Sequence, residues 1–151
     1  MTTTEPINGG RKTCCASCPW RRDSEPGAIG SKEPASTFIG QAHGPFLLPC
    51  HEAYEAAMGR QGWRKEADNS VQCCGAATFR ANVGVDKLMP NGIHKVQADK
   101  ENVFATAAEF LAHHEGKDVE LCESVLQMVT PMDMCEREMS KRNELTYYKR
   151  G

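Results

Sequence analysis

The segment Cys15-Ala16-Ser17-Cys18-Pro19-Trp20-Arg21 contains two cysteines separated by two residues, and it sets the expectation for the fold. The turn between such cysteines brings both sulfurs to one side, where they can bind one metal ion or one corner of a cluster. Proline after the second cysteine restricts the backbone, and Trp20 can shield the site from water. Alone, the motif also fits a redox pair or two buried thiols.

Cysteines recur in two later segments of the chain, Pro49-Cys50-His51 and Cys73-Cys74-Gly75. Both segments lie at predicted helix starts, where free amides and the positive end of the helix dipole favour a thiolate. Three remote segments that present thiols beside turns or helix starts are typical of a four-ligand metal site. The sequence therefore predicts that these segments converge on one metal centre.

The expected ligands are Cys15, Cys18, Cys50 and Cys74. Adjacent cysteines point in different directions, so we expect only one member of each doublet to bind the metal. His51 is the alternative to Cys50, and Cys73 is the alternative to Cys74. Cys14 could pair with Cys18 in place of Cys15, but the two-residue spacer is the commoner geometry.

The ligand spacing bears on whether the centre is an iron–sulfur cluster or zinc. Structural zinc sites commonly use two short two-cysteine turns, and here only the first part of the chain has one. Ligands that come singly from distant positions also suit a cubane, whose irons are reached from several directions. The sequence favours a [4Fe–4S] cluster, with zinc as the alternative.

Composition narrows the class of protein. With 151 residues, 40% hydrophobic and 25% charged, the chain has the size and apolar content of one globular domain. A formal charge of −2 excludes a strongly basic polyanion binder. No apolar run approaches the roughly 20 residues needed to span a bilayer, and no signal peptide is recognisable. We expect a cytoplasmic protein without a membrane partner, in which the eight cysteines serve a metal better than disulfides.

The chain is predicted to form a small, mainly α single domain, with an irregular metal-pinned N-terminal half and a three-helix C-terminal half. Residues 1–12 are polar and predict a flexible arm, and residues 13–85 form the cysteine-rich module. Residues 13–44 are rich in Gly, Pro and Ser, which favours turns over helices. Residues 86–151 are expected to form a helical part packed on that module.

Helix signals are clearest in the second half. Apolar residues at steps of three and four predict helices that end at glycine or begin at a capping residue followed by proline. The predicted helices span 50–58, 74–82, 102–115, 118–129 and 131–145. Cys122 and Cys135 fall on these helices and are expected to be small core residues. His113 and His114, at a predicted helix end, are expected on the surface.

Together the three cysteine motifs resemble a family of small cysteine-rich proteins of bacteria and phages that is classed as a domain of unknown function. The resemblance rests on Cys-x-x-Cys-Pro-Trp-Arg, Pro-Cys-His and Cys-Gly-Ala, the last followed by Phe79-Arg80-Ala81-Asn82, and covers about residues 13–85. It implies a metal-binding module with the four expected ligands and brings no activity with it. Cys14 and Cys73 are additions, and the helical half departs from the family.

Two functions are consistent with these features. The first is a small intracellular metal- or iron–sulfur-binding protein of a phage or bacterium, regulatory or interacting in role, that acts on a host protein or nucleic acid. The alternative is a metal-dependent or iron–sulfur redox enzyme acting on nucleotides or nucleic acid. A closed four-thiolate site favours the first, and an open metal position beside Glu52 favours the second. No catalytic residue is assigned, and the sequence leans away from an enzyme.

Several basic residues flank the motifs and have two interpretations. They could form a positive rim beside Trp20 that binds phosphates and stacked bases, or they could compensate an anionic thiolate centre. Compensation is the interpretation that we favour. The residues are Arg21, Arg22, Arg64, Lys65 and Arg80.

Overall fold

The protein is described by a computed structural model for residues 18–29, 34–46, 48 and 72–142, apart from the side chains of 141 and 142. In these ranges five α-helices follow one another: α1 (Ala35–Ala42), α2 (Cys74–Val83), α3 (Ala107–Glu115), α4 (Val119–Met128) and α5 (Pro131–Arg142), with a 3₁₀-helix (Asp86–Leu88) after α2. The prediction of a small, mainly helical single domain with three C-terminal helices is confirmed. The helix predicted at 50–58 lies outside the described residues.

Side-chain caps explain where the C-terminal helices begin. Thr106 accepts a hydrogen bond from the backbone N–H of Glu109 and starts α3. Thr130 and Asp133 exchange backbone-to-side-chain hydrogen bonds of 2.9 and 3.1 Å, which is a capping box at the start of α5. The expected starts of the two later helices agree to within a residue. The helix predicted from residue 102 begins only at Ala107, however, because Thr106 caps it there.

Helix α1 was not expected, since residues 13–44 were predicted to be irregular. It packs chiefly against α5 and also contacts α3 and α2. Gly40 makes the approach to α5 possible, since a Cβ atom at this position would lie 2.6 Å from the carbonyl oxygen of Met134. The N-terminal and C-terminal parts of the chain therefore share one core.

The segment before α1 is attached to the core by an aromatic anchor. Trp20 is 3% exposed, and its ring lies 4.3 Å from that of Phe110 and 4.8 Å from that of Phe79, measured between centroids. Its carbonyl accepts a hydrogen bond from the backbone N–H of Phe104, and an isolated bridge pairs Arg21 with Val103. Residues 18–29 thus lie across the region between α2 and α3.

Helix α4 departs from the burial that its periodicity predicts. Of its apolar residues Cys122 is buried, whereas Val119, Leu121 and Val125 are 39%, 54% and 46% exposed. Met128, at its end, is 83% exposed. The helix therefore packs by a narrow strip and presents apolar side chains to solvent.

None of the helices in the described ranges has the length and apolar character needed to cross a lipid bilayer.

Candidate metal centre

One expected ligand, Cys18, lies beside Cys73, the alternative to the expected ligand Cys74. The sulfur of Cys18 is 3.8 Å from the sulfur of Cys73, although the two residues are 55 positions apart in the chain. Their exposed fractions are 0% and 5%, and both thiols are unoxidised. Packing of the Cys18–Ile29 segment against α2 creates this pair.

Cys73 is placed by the start of α2, of which it is the N-cap. Its sulfur accepts a hydrogen bond of 3.4 Å from the backbone N–H of Ala76, and its own N–H donates to the carbonyl of Leu48 at 2.8 Å. A sulfur at this position lies at the positive end of the helix dipole. The expectation that a cysteine of this doublet lies at a helix start is confirmed.

Gly75 allows Cys18 to reach the helix. A Cβ atom at Gly75 would lie 2.2 Å from Cys18 Sγ and 2.9 Å from Trp20 Cβ. No side chain larger than hydrogen fits there unless the Cys18–Trp20 segment moves away. The pairing of Cys18 with Cys73 therefore depends on a glycine two residues after the N-cap.

Of the remaining expected ligands and their alternatives, Cys74 is the one that lies in the described residues. Cys74 is buried in the first turn of α2, and its sulfur lies 3.8 Å from Thr78 Oγ1. Cys14, Cys15, Cys50 and His51 lie outside the described residues. Within the described ranges, no cluster of three or more Cys, His, Asp or Glu side chains is arranged to hold a metal ion. The geometry favours Cys73, the alternative, as the neighbour of Cys18.

Arg80 is a buried cation close to this site. It is 2% exposed, and its guanidinium donates to the carbonyls of Gln41, Ala42, Gly44 and Phe46 at 2.7 to 3.1 Å. Burial lowers the pKa of Arg80 to about 10, while negative charge on Cys73 and then Cys135 acts in the opposite direction. The guanidinium remains charged at neutral pH and caps the C-terminal carbonyls of α1.

The arrangement of these basic residues argues against a positive rim. Arg21 is ion-paired with Asp23 at 2.7 Å, and Arg22 is ion-paired with Glu109 at 3.0 Å. Arg80 is enclosed in the core. Arg64 and Lys65 lie outside the described residues. The three arginines of this set that the structure describes therefore do not form a cationic surface beside Trp20.

Two histidines hold the cysteine-bearing segment against α3. His114 donates from Nε2 to the carbonyl of Pro19 at 2.7 Å and accepts at Nδ1 from the N–H of Gly27 at 3.0 Å. His113 donates from Nε2 to the carbonyl of Ser24 at 2.7 Å. The expectation of two surface histidines is wrong for His114, which is 9% exposed because the Cys18–Ile29 segment covers it.

The steric role of Gly75 and the burial of Arg80 were not predicted, although both have weak signals in the sequence. Gly75 follows a cysteine doublet at a predicted helix start, although glycine is a poor helix former. Arg80 lies in the middle of an apolar stretch, between Phe79 and Ala81. A small residue beside a cysteine and a charge inside an apolar run are both signs of close packing at a site.

Chemically, the pair can act in two ways. Two thiols 3.8 Å apart can lose their protons and bind one metal ion, or they can be oxidised together to a disulfide. Comparisons of the chain with protein-family models, with curated proteins and with solved structures found no match. The case for either chemistry therefore comes from the residues themselves.

Proposed function

We propose that this chain is a metal-binding protein whose thiolate centre attaches the N-terminal segment to helix α2. The observation that carries the proposal is the 3.8 Å separation of Cys18 Sγ and Cys73 Sγ in the interior. The expected pairing of the first cysteine motif with the last is supported by this contact. Cys73, in place of Cys74, is then the ligand from the doublet.

Covalent geometry makes Cys15 and Cys50 suitable as the other two ligands. Cys15 precedes Cys18 by three residues, and Cys50 follows Leu48 by two. The carbonyl of Leu48 is itself hydrogen-bonded to the N–H of Cys73. At about 3.5 Å per residue, both cysteines are within reach of the buried pair. His51 and Cys14 remain the alternatives.

The charge of Arg80 also supports an anionic centre. Within the described ranges its guanidinium forms no ion pair with a carboxylate, and neutral carbonyls accept its hydrogen bonds. A buried cation without an anion is strongly destabilising. A metal bound by several thiolates carries net negative charge. If it is bound to Cys73, this negative charge would offset the positive charge of Arg80.

A structural metal suits a regulatory or interaction role better than catalysis. Both described sulfurs are enclosed, which is typical of closed structural sites. The enzymatic alternative requires an open metal position beside Glu52, which lies outside the described residues. Apolar side chains exposed on α4 provide a surface for a protein partner. The paired or buried state of Arg21, Arg22 and Arg80 favours a protein over a nucleic acid as that partner.

The test is the metal content of single cysteine-to-serine variants of the full chain, purified without chelators and under anaerobic conditions. We expect wild type to retain metal, and Cys18→Ser and Cys73→Ser to lose most of it. Cys74→Ser is the matched control, because it alters a neighbouring buried thiol and should keep the metal. Cys122→Ser is a second control in α4, far along the chain from the motifs.

Unfolding is separated from metal loss by circular dichroism of each variant. A Cys18→Ser protein that stays helical but lacks metal supports the proposal. Full metal content in both Cys18→Ser and Cys73→Ser would overturn it, and so would a wild-type chain that binds no metal with its thiols reduced. Loss of metal in Cys74→Ser with retention in Cys73→Ser would return the ligand role to Cys74.

The interaction role has its own test. A Leu121→Gln, Met128→Gln variant changes two exposed side chains, so its fold and metal content should match wild type. Proteins that copurify with wild type in defined amounts should be reduced with this variant. If the two proteins behave alike, α4 is not the interaction surface.

A further inference from the structure

Helix α4 carries a stripe of exposed apolar side chains that follows the helical repeat. Leu121, Val125 and Met128 are separated by four and three residues, so their side chains lie along one side of the helix. Their exposed fractions are 54%, 46% and 83%. Cys122, by contrast, is 4% exposed and belongs to the core, against which Leu126 is packed. Helix α4 is therefore apolar over a wider arc than its packing against the core uses.

The stripe continues into an open groove between the end of α4 and helix α5. The groove has a volume of about 450 Å³ and is lined by Met128, Val129, Asp133, Glu136, Arg137 and Ser140. The four residues from α5 are spaced so that they share one side of that helix. An apolar partner that lies along the stripe would thus meet the carboxylates of Asp133 and Glu136 at the Met128 end.

The surface around the stripe is acidic. In residues 118–140, all of which the structure describes, five exposed residues are acidic and one, Arg137, is basic. The acidic residues are Asp118, Glu120, Glu123, Asp133 and Glu136. None of these five carboxylates forms an ion pair with another described residue. The surface therefore presents net negative charge that a partner can neutralise.

This charge decides which class of partner fits. Nucleic acids and anionic lipid surfaces would be repelled. In a symmetric contact between two copies of the chain, the same acidic surface would face itself, which is unfavourable. A partner with basic residues beside an apolar face gains from both features of the surface.

The shape of the stripe indicates a helical partner. Leu121 and Met128 are seven residues apart, which is about 10 Å along the helix axis or two helical turns. The few exposed side chains cannot supply the roughly 800 Å² per partner of a standard interface between globular proteins. A single amphipathic helix, with apolar residues at matching three- and four-residue steps, can pack along such a stripe.

We infer that α4 binds a short amphipathic helix of a partner protein, in which Lys or Arg residues flank the apolar face. This inference rests on the interaction role proposed above and adds the chemistry of the partner. The apolar stripe would anchor the partner helix, and the carboxylates around it would select basic sequences over acidic ones.

The experiment measures the affinity of the full chain for labelled synthetic peptides by fluorescence anisotropy. The probe is a peptide of Leu, Ala and Lys, about 14 residues long so that it can form a helix, with leucines on one face and lysines beside them. One matched peptide has glutamate in place of every lysine, and another has the same composition in an order without an apolar face. We expect the probe to bind at least about tenfold more tightly than either, and added salt to weaken its binding.

Variants of the chain locate the site. Leu121→Gln, Met128→Gln removes two apolar contacts and should weaken binding of the probe by about tenfold or more. Glu136→Gln removes one carboxylate from the groove and should weaken it by about two- to threefold. Leu88→Gln is the matched control, because Leu88 is 80% exposed in the 3₁₀-helix that contacts α2, and it should leave the affinity unchanged.

Metal content and circular dichroism of each sample separate this inference from the proposed metal centre. Weaker binding by Leu121→Gln, Met128→Gln, with metal and helicity retained, supports the inference. Equal affinity for the lysine and glutamate peptides overturns the basic partner, and equal affinity of this variant and wild type overturns α4 as the site. A wild-type dimer in sedimentation that the variant converts to a monomer would also overturn it, because a second copy would then occupy the surface.

Discussion

At the scale of single residues, Gly75 has a steric role that its position in a helix does not suggest. Alanine is the better helix former, and a helix considered alone would gain up to about 1 kcal/mol from Gly75→Ala. Here the added methyl group would meet Cys18 Sγ at 2.2 Å. We expect Gly75→Ala to lower the free energy of unfolding by about 1 to 3 kcal/mol and to weaken metal binding.

Gly40→Ala is the matched control for that substitution. Its methyl group would meet the backbone of Met134 on α5, at 2.6 Å, and not the cysteine pair. Both variants should be destabilised in urea titrations, but only Gly75→Ala should lose affinity for metal in a competition titration with a chromogenic chelator. Equal metal affinity in the two variants would contradict the role given to Gly75.

His114 is a second residue whose position has a measurable consequence. Its neutral form donates to Pro19 and accepts from Gly27, and a proton on Nδ1 would abolish the second hydrogen bond. Burial lowers the pKa of His114 from its ordinary value of 6.5, the bond to Pro19 raises it, and charge on His113 lowers it. The net shift is downward, so the folded chain holds the neutral form.

The sign of the pH effect follows from that shift. Just below pH 6.5 the unfolded chain binds a proton that the folded chain does not, so acidification favours unfolding. The contribution of His114 is complete above pH 6.5 and is lost as the pH falls toward the lowered pKa. Urea titrations at about pH 7.5 and about pH 5.5 should show a smaller pH dependence for His114→Gln than for wild type.

A second histidine, His43, also contributes to the pH dependence of stability. His43 also has a lowered pKa, because it is buried, and it destabilises the fold on acidification in the same direction. A His43→Gln variant should retain the part of the pH dependence that belongs to His114. An unchanged pH dependence in His114→Gln would contradict a lowered pKa of His114 in the folded chain.

At this scale the sequence predicted which residue types matter but not their partners. The cysteine motifs indicated Cys18 and the later doublet, and these meet in the structure. The choice between Cys73 and Cys74 depends on the rotation of the first turn of α2, which the order of residues does not reveal. The burial of His114 depends on a segment 95 residues earlier in the chain, so local pattern could not have shown it.

At the scale of helices, Arg80 joins α2 to α1. Its four carbonyl partners lie at the end of α1 and just after it, so one side chain holds the end of α1 against α2. Arg80→Met keeps the volume and removes every donor. We expect it to lower the free energy of unfolding by about 3 kcal/mol or more, because buried carbonyls lose their hydrogen bonds.

Arg80→Lys separates the charge of Arg80 from its hydrogen bonds. A lysine keeps the positive charge but cannot reach four carbonyls with one ammonium group. Its stability, measured by urea titration, should lie between those of wild type and Arg80→Met. If Arg80→Met were as stable as wild type, the guanidinium would not be what holds α2 to α1.

Helices with their own caps could be predicted from sequence, and α1 could not. The ends of α2 and α3 at Gly84 and Gly116, with φ of 89° and 68°, match the expected stops. Helix α1 has no side-chain cap at its start, and it contains a glycine and two β-branched residues, Thr37 and Ile39. Its stability therefore comes from packing against α5, which local propensity does not report.

At the scale of the whole molecule, the proposed metal links one segment to a core that has other attachments. Hydrogen exchange with and without metal can locate its effect. Removing the metal should raise exchange in residues 18–29 and at the start of α2. Helices α3 and α4, which pack on each other, should change least. Uniform acceleration along the chain would mean that the metal supports the entire fold.

The long separation between partners has a consequence for synthesis. Cys18 leaves the ribosome 55 residues before Cys73, and Pro19 leaves it 95 residues before His114. At 5 to 20 residues per second, the second interval lasts about 5 to 20 s. During that time the nascent chain carries an unburied tryptophan and reactive sulfurs, which makes it a substrate for chaperones and a target for oxidants.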